Sequence, residues 1–482
     1  MGRRLAIAIA VPSVLALGYL AADVADVVPG FLTAEPAPPV AAPFLTASPA
    51  PSSSMEGLAL TDGTGADAPL PSPYQLQILA QELRDDPRTG TSTNVSVIDL
   101  VTGEPLADLD ADEPQVPAST TKVLTAVAAA TALGPDHTLS TDAAWDPGAR
   151  TLTLVAGGDI LLAEGYGHHG DLGTASADEI AAFGGPSVAN GYAGLADLAD
   201  AVVDALGTDL GTVTVAVDTS DYPGPAYPES WPDYALQQGY AGRVTGIAID
   251  EGRLTDDAYA QRSDDPVGDT VDAFAALLED RGIDVGTTVT RTASSGASVV
   301  ASVESAPMSD IVTYLLRDSD NTVAEQVGRI LALETGRKAT PSGAAAAVTE
   351  ALDGLGVDTT GLQLYDGAGF SDRNRITPNQ LVDALRAAAV SDDTSGILDW
   401  LPVMGVEGTV ADRAGTDDVV GRGLAKTGSL TGVTALAGLI ETADGRWLVF
   451  ATLADGMPPG QPRPRAAIDE FIGALAGCGC EG

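Results

Sequence analysis

The sequence VPASTTKVLTAVAAA, residues 116–130, carries the strongest structural signal in this chain. Ser119 stands at the start of a long alanine-rich apolar run, which predicts a buried helix with Ser119 near its N-terminus. Lys122 follows three residues later, on the same face of that helix and about one turn away. A desolvated lysine of depressed pKa can take the proton of a serine, which is otherwise a poor nucleophile. On its own this S-x-x-K pattern is weak evidence, because an N-cap serine followed by a surface lysine has the same spacing and is the commoner case.

A second polar group follows a helix predicted over residues 308–317. Its sequence is Ser319-Asp320-Asn321. The Ser319 hydroxyl can relay a proton, and the Asn321 amide can hold both a substrate carbonyl and a lysine amine. Taken alone, the same residues are also typical of a helix N-cap.

A third group, Lys426-Thr427-Gly428, lies on a predicted strand and is followed by Ser429. Lys426 would bring positive charge to a cleft, and Gly428 would let a substrate backbone approach closely. An extended peptide could then pair with this strand, and the backbone N–H of Ser429 could serve as an oxyanion donor. The alternative is an ordinary strand with a glycine bulge.

The use of lysine connects the first and third groups. The chain contains only three lysines, Lys122, Lys338 and Lys426, and two of them fall within these motifs. Arginine supplies the rest of the positive charge, so lysine is placed where an amine that can lose its proton is useful.

Together the three motifs resemble those of penicillin-binding proteins and class A β-lactamases. The resemblance narrows to the low-molecular-mass class C penicillin-binding proteins, the D-alanyl-D-alanine carboxypeptidase/endopeptidase family (peptidase family S13, DacB-like). It extends over roughly residues 75–475. Its supporting strings are PASTTK (117–122), LRDSDN (316–321), DGAGFS (366–371), RITP (375–378), LPV (401–403) with GT (408–409), and AKTGS (425–429).

The resemblance implies an α/β (α+β) serine penicillin-recognising transpeptidase-like domain. Helices would flank a mainly antiparallel sheet, and a large region would be inserted between the first and second motifs. The expected domains are a signal peptide or membrane anchor (1–26), a Pro/Ala/Ser-rich linker (27–73), a discontinuous catalytic domain (74–143 and 306–476), an inserted region (144–305) and a tail (477–482). The basic start and apolar run before residue 22 predict that the body lies outside the cytoplasmic membrane.

The resemblance also implies the chemistry. Ser119 would attack the carbonyl of a D-Ala-D-Ala bond in a peptidoglycan stem peptide, with Lys122 as general base. Ser319 would pass the proton to the leaving amine, and Asn321 and Lys426 would position the substrate. Thr427, Gly428 and Ser429 are expected to bind the substrate. β-Lactams would acylate the same serine, and no cofactor is expected.

Two further sequence features bear on function. The net charge of −43 excludes sequence-independent nucleic-acid binding, because nothing would offset phosphate repulsion. His168 and His169, with Glu164 or Asp171, could bind a metal, but a solvated glycine-rich loop is favoured and no metal site is expected. A β-lactamase or esterase of the same fold, and a catalytically silent wall-binding protein, stay open as alternatives.

Overall fold

The computed structural model describes residues 65–170, 189–255, 257, 259–290, 296–391, 395–416, 418–457 and 464–478. The expected signal or anchor, the linker up to residue 64 and the tail from residue 479 lie outside this range. Within it, no helix combines the length and apolar character that crossing a membrane requires.

Ten helices and ten strands are found in the described residues. The helices are α1 (Pro73–Asp85), α2 (Thr121–Leu133), α3 (Leu195–Leu206), α4 (Tyr234–Gln237), α5 (Pro266–Asp280), α6 (Met308–Arg317), α7 (Asn321–Glu334), α8 (Pro341–Gly354), α9 (Pro378–Val390) and α10 (Pro464–Ala476). The strands are β1 (Ser92–Asp99), β2 (Pro105–Leu109), β3 (Ser140–Asp146), β4 (Thr151–Val155), β5 (Val213–Asp218), β6 (Val285–Thr290), β7 (Ser298–Glu304), β8 (Gly423–Leu430), β9 (Val433–Glu441) and β10 (Trp447–Asp455).

The first sheet joins the two ends of the chain. Its order is β2-β1-β10-β9-β8, and every neighbouring pair is antiparallel. Alternate residues of the strands face opposite sides, as the two-residue period of a strand requires. On one face the sheet packs with α1 and α10, and on the other it packs with the helical layer that contains α2 and α9. The sheet therefore lies buried between two helical layers, with β8 at its edge.

A second sheet is formed by strands that lie between the first two motifs. Its order is β6-β5-β4-β3-β7, with parallel pairs β4/β5 and β5/β6 and antiparallel pairs β3/β4 and β3/β7. Helices α3 and α5 pack against it around a separate apolar core. The sequence patterns had not indicated β3 or β6. The expected domain boundary between residues 143 and 144 falls inside β3. Both halves of β3 pair with β7 of this second sheet, so the strand belongs to that sheet as a whole.

Helix α2 is the central helix of the main core. Ten of its residues are buried, including Lys122, and it contacts α6, α7, α8 and α9. A helix that is apolar on all sides is stable only when other elements of the protein surround it. The small alanine side chains on α2 let the four neighbouring helices approach it closely. The position of α2 therefore fixes the residues at its N-terminus relative to both α7 and the sheet.

Candidate active site

Ser119 lies in a single 3₁₀ turn, Ala118–Thr120, that leads directly into α2. The turn is held by the Thr120 hydroxyl, which donates to Pro117 O at 2.7 Å, and by the Thr121 hydroxyl, which donates to Ala118 O at 2.9 Å. Ala118 has a φ of +49°, a left-handed conformation that is costly for a residue with a side chain. Such strain persists only where the surroundings hold it, and here it presents the half-buried Ser119 to the cleft.

Lys122 is fully buried beneath Ser119 and makes three contacts. Its Nζ lies 3.1 Å from Ser119 Oγ, 2.7 Å from Asn321 Oδ1 and 2.7 Å from the carbonyl oxygen of Ala368. Burial lowers the pKa of Lys122 to about 7, against the opposing attraction of Asp320 and Asp366. At neutral pH a large share of this amine is therefore unprotonated and able to accept the proton of Ser119.

The second motif begins where α6 ends. Ser319 has a φ of +59°, again a left-handed conformation, and the following Asp320 caps α7 by accepting N–H bonds from Thr322 and Val323. Asn321 is the first residue of α7; its Nδ2 donates to Tyr240 O at 2.8 Å while its Oδ1 receives Lys122. The reversal at Ser319 thus places a hydroxyl and an amide side by side at one helix N-terminus.

The third motif lies on the edge strand β8. Lys426 is fully buried and its Nζ donates to Ser319 Oγ at 2.8 Å and to Thr427 O at 3.0 Å. Burial, reinforced by the charge of Lys122, holds the pKa of Lys426 well below its usual value. The Thr427 hydroxyl donates to Thr409 Oγ1 at 2.9 Å. The three motifs are therefore joined into one network of serines, lysines and an asparagine.

Gly428 has a structural role that sequence reasoning had not given it. A Cβ at this position would lie 2.7 Å from Pro117 O and 3.0 Å from Ala435 Cβ. The strand thus packs directly on the turn that carries Ser119, and this contact alone requires glycine. Gly369 does the same from the other side, since a Cβ there would lie 1.8 Å from Ala118 O.

The network opens into a cleft of about 790 Å³. Of the residues singled out from the sequence, those that line it are Ser119, Ser319, Asp320, Asn321, Thr427 and Ser429, whereas the two lysines lie beneath its surface. One wall belongs to the segment between the motifs and includes Tyr234, Tyr240 and Arg253. Edge-strand residues Thr427 and Ser429 lie along one side of the cleft, which suits an extended peptide chain.

Sequence reasoning missed several residues that complete the site. The carbonyl of Ala368 holds Lys122, Thr409 holds Thr427, and Arg465 at the start of α10 reaches Ser429 Oγ at 3.5 Å. The strings DGAGFS and GT had signalled the first two regions, but without a role. The Ala368 carbonyl is oriented by Asp366, whose carboxylate accepts four successive backbone N–H groups of residues 368–371.

The histidine pair lies away from this cleft. His169 Nε2 is 3.2 Å from Asp197 Oδ2, and His168 Nδ1 accepts the N–H of Gly170. Within the described part of the chain, no group of three or more His, Cys, Asp or Glu side chains is arranged to hold a metal ion. Of the two acidic residues that could have bound a metal with these histidines, Glu164 and Asp171, the second lies outside the described residues.

Comparisons with known proteins agree with this geometry. The chain matches the D-Ala-D-Ala carboxypeptidase 3 (S13) family over residues 75–267 and 256–476. It is 32% identical to carboxypeptidase DacB of Mycolicibacterium smegmatis over 422 residues, which cover 86% of each protein. It is also 32% identical over 457 residues to the D-alanyl-D-alanine carboxypeptidase of Actinomadura sp. strain R39, covering 82% of this chain and 83% of the relative.

Among solved structures, the fold is similar to that of penicillin-binding protein 4 (dacB) from Haemophilus influenzae. The TM-score is 0.66 at 20% identity, covering 83% of this chain and 98% of the other. The expected fold class is thereby confirmed. The matched ranges contain all three motifs and most of the folded chain. The chain belongs to the D-Ala-D-Ala carboxypeptidase S13 family of serine peptidases.

Proposed function

We propose that this S13 peptidase cleaves the terminal D-Ala-D-Ala bond of peptidoglycan stem peptides through an acyl-enzyme on Ser119. The observation that carries the proposal is the buried amine of Lys122, 3.1 Å from Ser119 Oγ, with a pKa lowered by burial to about 7. An amine with a pKa near the working pH is an efficient general base.

Acylation then proceeds in balanced steps. Lys122 takes the proton of Ser119 as Oγ bonds to the carbonyl carbon of the penultimate D-alanine. Backbone N–H groups of Ser119 and Ser429 stabilise the oxyanion, as donors placed for developing charge do. The C–N bond breaks as the proton held by Lys122 passes through the Ser319 hydroxyl, which is hydrogen-bonded to Lys426, to the amine of D-alanine. Lys122 is then neutral again and D-alanine leaves.

Deacylation regenerates the free enzyme from the acyl-enzyme. With D-alanine gone, neutral Lys122 takes a proton from water as the water oxygen bonds to the ester carbonyl carbon. The bond from that carbon to Ser119 Oγ then breaks, Lys122 returns the proton to Oγ, and the shortened peptide leaves with a free carboxyl group. Water accepts the acyl group and no second amine is needed, so the products are a shorter stem peptide and one D-alanine. Asn321 and Thr427 would hold the peptide, with Gly428 and Ser429 on the open strand edge beside it.

A β-lactam would take the same course as far as the acyl-enzyme. The β-lactam amide opens on Ser119, but its leaving nitrogen stays tethered to the acyl group, so water meets a crowded ester. A solved penicillin-binding protein 4 from Haemophilus influenzae that resembles this chain is complexed with a β-lactam. We extend that binding to this chain, and place its action outside the cytoplasmic membrane, where stem peptides are found.

The domain arrangement also belongs to this proposal. The catalytic domain would comprise residues 74–143 and 306–476, and residues 144–305 form the inserted segment. The pairing of β3 with β7 supports moving the first boundary toward residue 140.

The test is the release of D-alanine from an N-acylated tripeptide ending in D-Ala-D-Ala. The parent should release D-alanine at a rate that benzylpenicillin abolishes, and Ser119→Ala should release none. Release by Ser119→Ala equal to the parent would overturn the assignment of the nucleophile. Rapid turnover of benzylpenicillin without inhibition would favour a β-lactamase instead.

A further inference from the structure

We propose that Arg253 and Arg262 are positioning residues of the active site, although both belong to the inserted segment. They hold Asp320 in the middle of the second motif, so that the inserted segment sets the geometry and charge around Lys122. We call these two residues the arginine clamp. The inference rests on the proposed function, because it assumes that Lys122 is the base for Ser119.

The clamp reaches Asp320 through direct ion pairs. Arg253 Nη2 lies 3.5 Å from Asp320 Oδ2, and Arg262 Nη2 lies 3.8 Å from the same oxygen. All three side chains are at most 9% exposed, so water screens these pairs little. Glu251 lies between the arginines, 3.0 Å from Arg253 and 3.7 Å from Arg262.

The cluster is tied to the catalytic domain by Tyr314 of α6. The Tyr314 hydroxyl donates to Glu251 Oε1 at 2.8 Å and accepts from Arg253 Nη1 at 3.0 Å. Burial raises the pKa of the Glu251 carboxyl well above its usual value. Arg253 also pairs with Asp250 at 3.0 Å, and its charge acts on both Glu251 and Asp320, so these carboxyl groups share the charge of the clamp.

Asp320 in turn controls the residues on either side of it. Its carboxylate caps α7 through Thr322 N at 2.8 Å and Val323 N at 2.9 Å, which fixes the turn between Ser319 and Asn321. Burial alone would raise the pKa of Asp320, but the charges of Arg253 and then Arg262 outweigh it and hold that pKa below its ordinary value. The carboxylate thus stays ionised at the helix N-terminus.

The same segment supports the motif through its backbone. Tyr240 O accepts from Asn321 Nδ2 at 2.8 Å, and Gly242 N donates to Thr322 Oγ1 at 2.9 Å. Gly242 also packs on the stem of Arg262, since a Cβ there would lie 3.2 Å from its Cγ. Side-chain and backbone contacts therefore converge on the first turn of α7.

The arginine clamp also affects the protonation of Lys122 through its charge. The charged groups that act on the pKa of Lys122 are Asp320 at the N-terminus of α7 and Asp366 in the loop before α9, and Lys122 in turn lowers the pKa of Lys426 on β8. The two carboxylates favour protonated Lys122, which cannot act as a base. By compensating Asp320, the clamp limits this attraction and keeps more of Lys122 unprotonated at neutral pH.

Arg262 is the residue on which to test the clamp. Arg253 lines the cleft and could contact substrate, whereas Arg262 does not line it. Because Arg253 still keeps Asp320 ionised, Arg262→Gln should shift the acid limb of the acylation rate, measured with a fluorescent penicillin from pH 5 to 9, upward, by less than the roughly one pH unit that a charge in close contact with the titrating group produces. Arg262→Lys, which restores the charge, should return the limb toward the parent.

The matched control is Arg446→Gln. Arg446 forms an equally buried pair with Asp99, at 2.5 Å and 2.7 Å, on the first sheet and away from the cleft. It should lower the unfolding temperature and leave the acid limb in place. If Arg262→Gln does the same, the arginine is structural only and the inference is overturned.

A second variant keeps the test decisive if Arg262→Gln does not fold. Asp320→Asn can still cap α7, because asparagine is among the best N-cap residues. With the negative charge gone, the acid limb should move downward; no movement would overturn the inference. A parent that fails to acylate at any pH would instead overturn the proposed function, and the clamp's role with it.

Discussion

Replacing Lys122 by arginine keeps the positive charge but removes the base. An arginine guanidinium stays protonated at every pH at which a protein is folded, so it cannot accept the proton of Ser119. Loss of a positioned general base typically slows a reaction by about 10²–10⁴-fold. We therefore expect acylation of Lys122→Arg by a fluorescent penicillin to fall by about that factor at pH 7.5.

The parent enzyme provides the companion measurement. With burial lowering the pKa of Lys122 to about 7, roughly half of this amine is neutral at pH 7. Below that pH each unit reduces the neutral fraction about tenfold, so acylation at pH 5 should be about 100-fold slower than its plateau. The acylation rate rises with pH because only unprotonated Lys122 can accept the proton of Ser119.

The matched control is Lys338→Arg. Lys338 is the lysine outside the motifs and is exposed, so its replacement should change neither the rate nor its pH profile. A rate for Lys122→Arg within threefold of the parent would refute the assignment of the base, as would a parent profile that is flat from pH 5 to 7.

Three further predictions concern other parts of the site and fold. Ser319→Ala removes the hydrogen bond from Lys426 and the proton relay, so acylation should slow by about 10²–10³-fold in stopped-flow assays while the unfolding temperature changes little. Gly428→Ala places a Cβ 2.7 Å from Pro117 O, and should lower the free energy of unfolding in urea by about 1–3 kcal/mol; an unchanged value would refute the packing argument. Burial raises the pKa of Asp159 to about 7, so stability is lost as pH rises from the unfolded-state pKa near 4 to the folded-state value. Asp159→Asn should therefore gain about 3–4 kcal/mol relative to the parent between pH 4 and pH 8 by the same urea measurement, and a pH-independent difference would contradict it.

The sequence predicted helices and strands wherever a single hydrophobic periodicity, helical or strand-like, dominated. The apolar run after Ser119 predicted α2, and the pattern around Lys426 predicted the strand β8. The three motifs could be placed at a helix start, a helix junction and an edge strand because each lies beside such an element. The S13 assignment from those motifs is confirmed by the family match.

What the sequence could not show was which distant groups meet. β3 and β6 carry polar and small residues on partly exposed faces, so their strand character appears only once β4 and β5 provide partners. Gly428 suggested a substrate approach, but its nearest obstacle is Pro117, more than 300 positions away in the chain. Pairings over such separations depend on tertiary contacts and leave no local pattern.

The arginine clamp illustrates the same limit for function. Arg253 and Arg262 lie in a loop region whose composition resembles other solvated stretches of the chain. Only the folded structure places them within 4 Å of Asp320. A charged side chain in such a loop is usually solvated, so the sequence alone would have assigned both arginines to the surface.

The proposed function depends on an acyl-enzyme at Ser119. The intact mass of the protein after incubation with benzylpenicillin, followed by peptide mapping, shows whether this ester forms and where. We expect a single added mass equal to that of the drug, located on the peptide that contains Ser119, and none on Ser119→Ala. An adduct on another residue, or one of equal yield on Ser119→Ala, would contradict it.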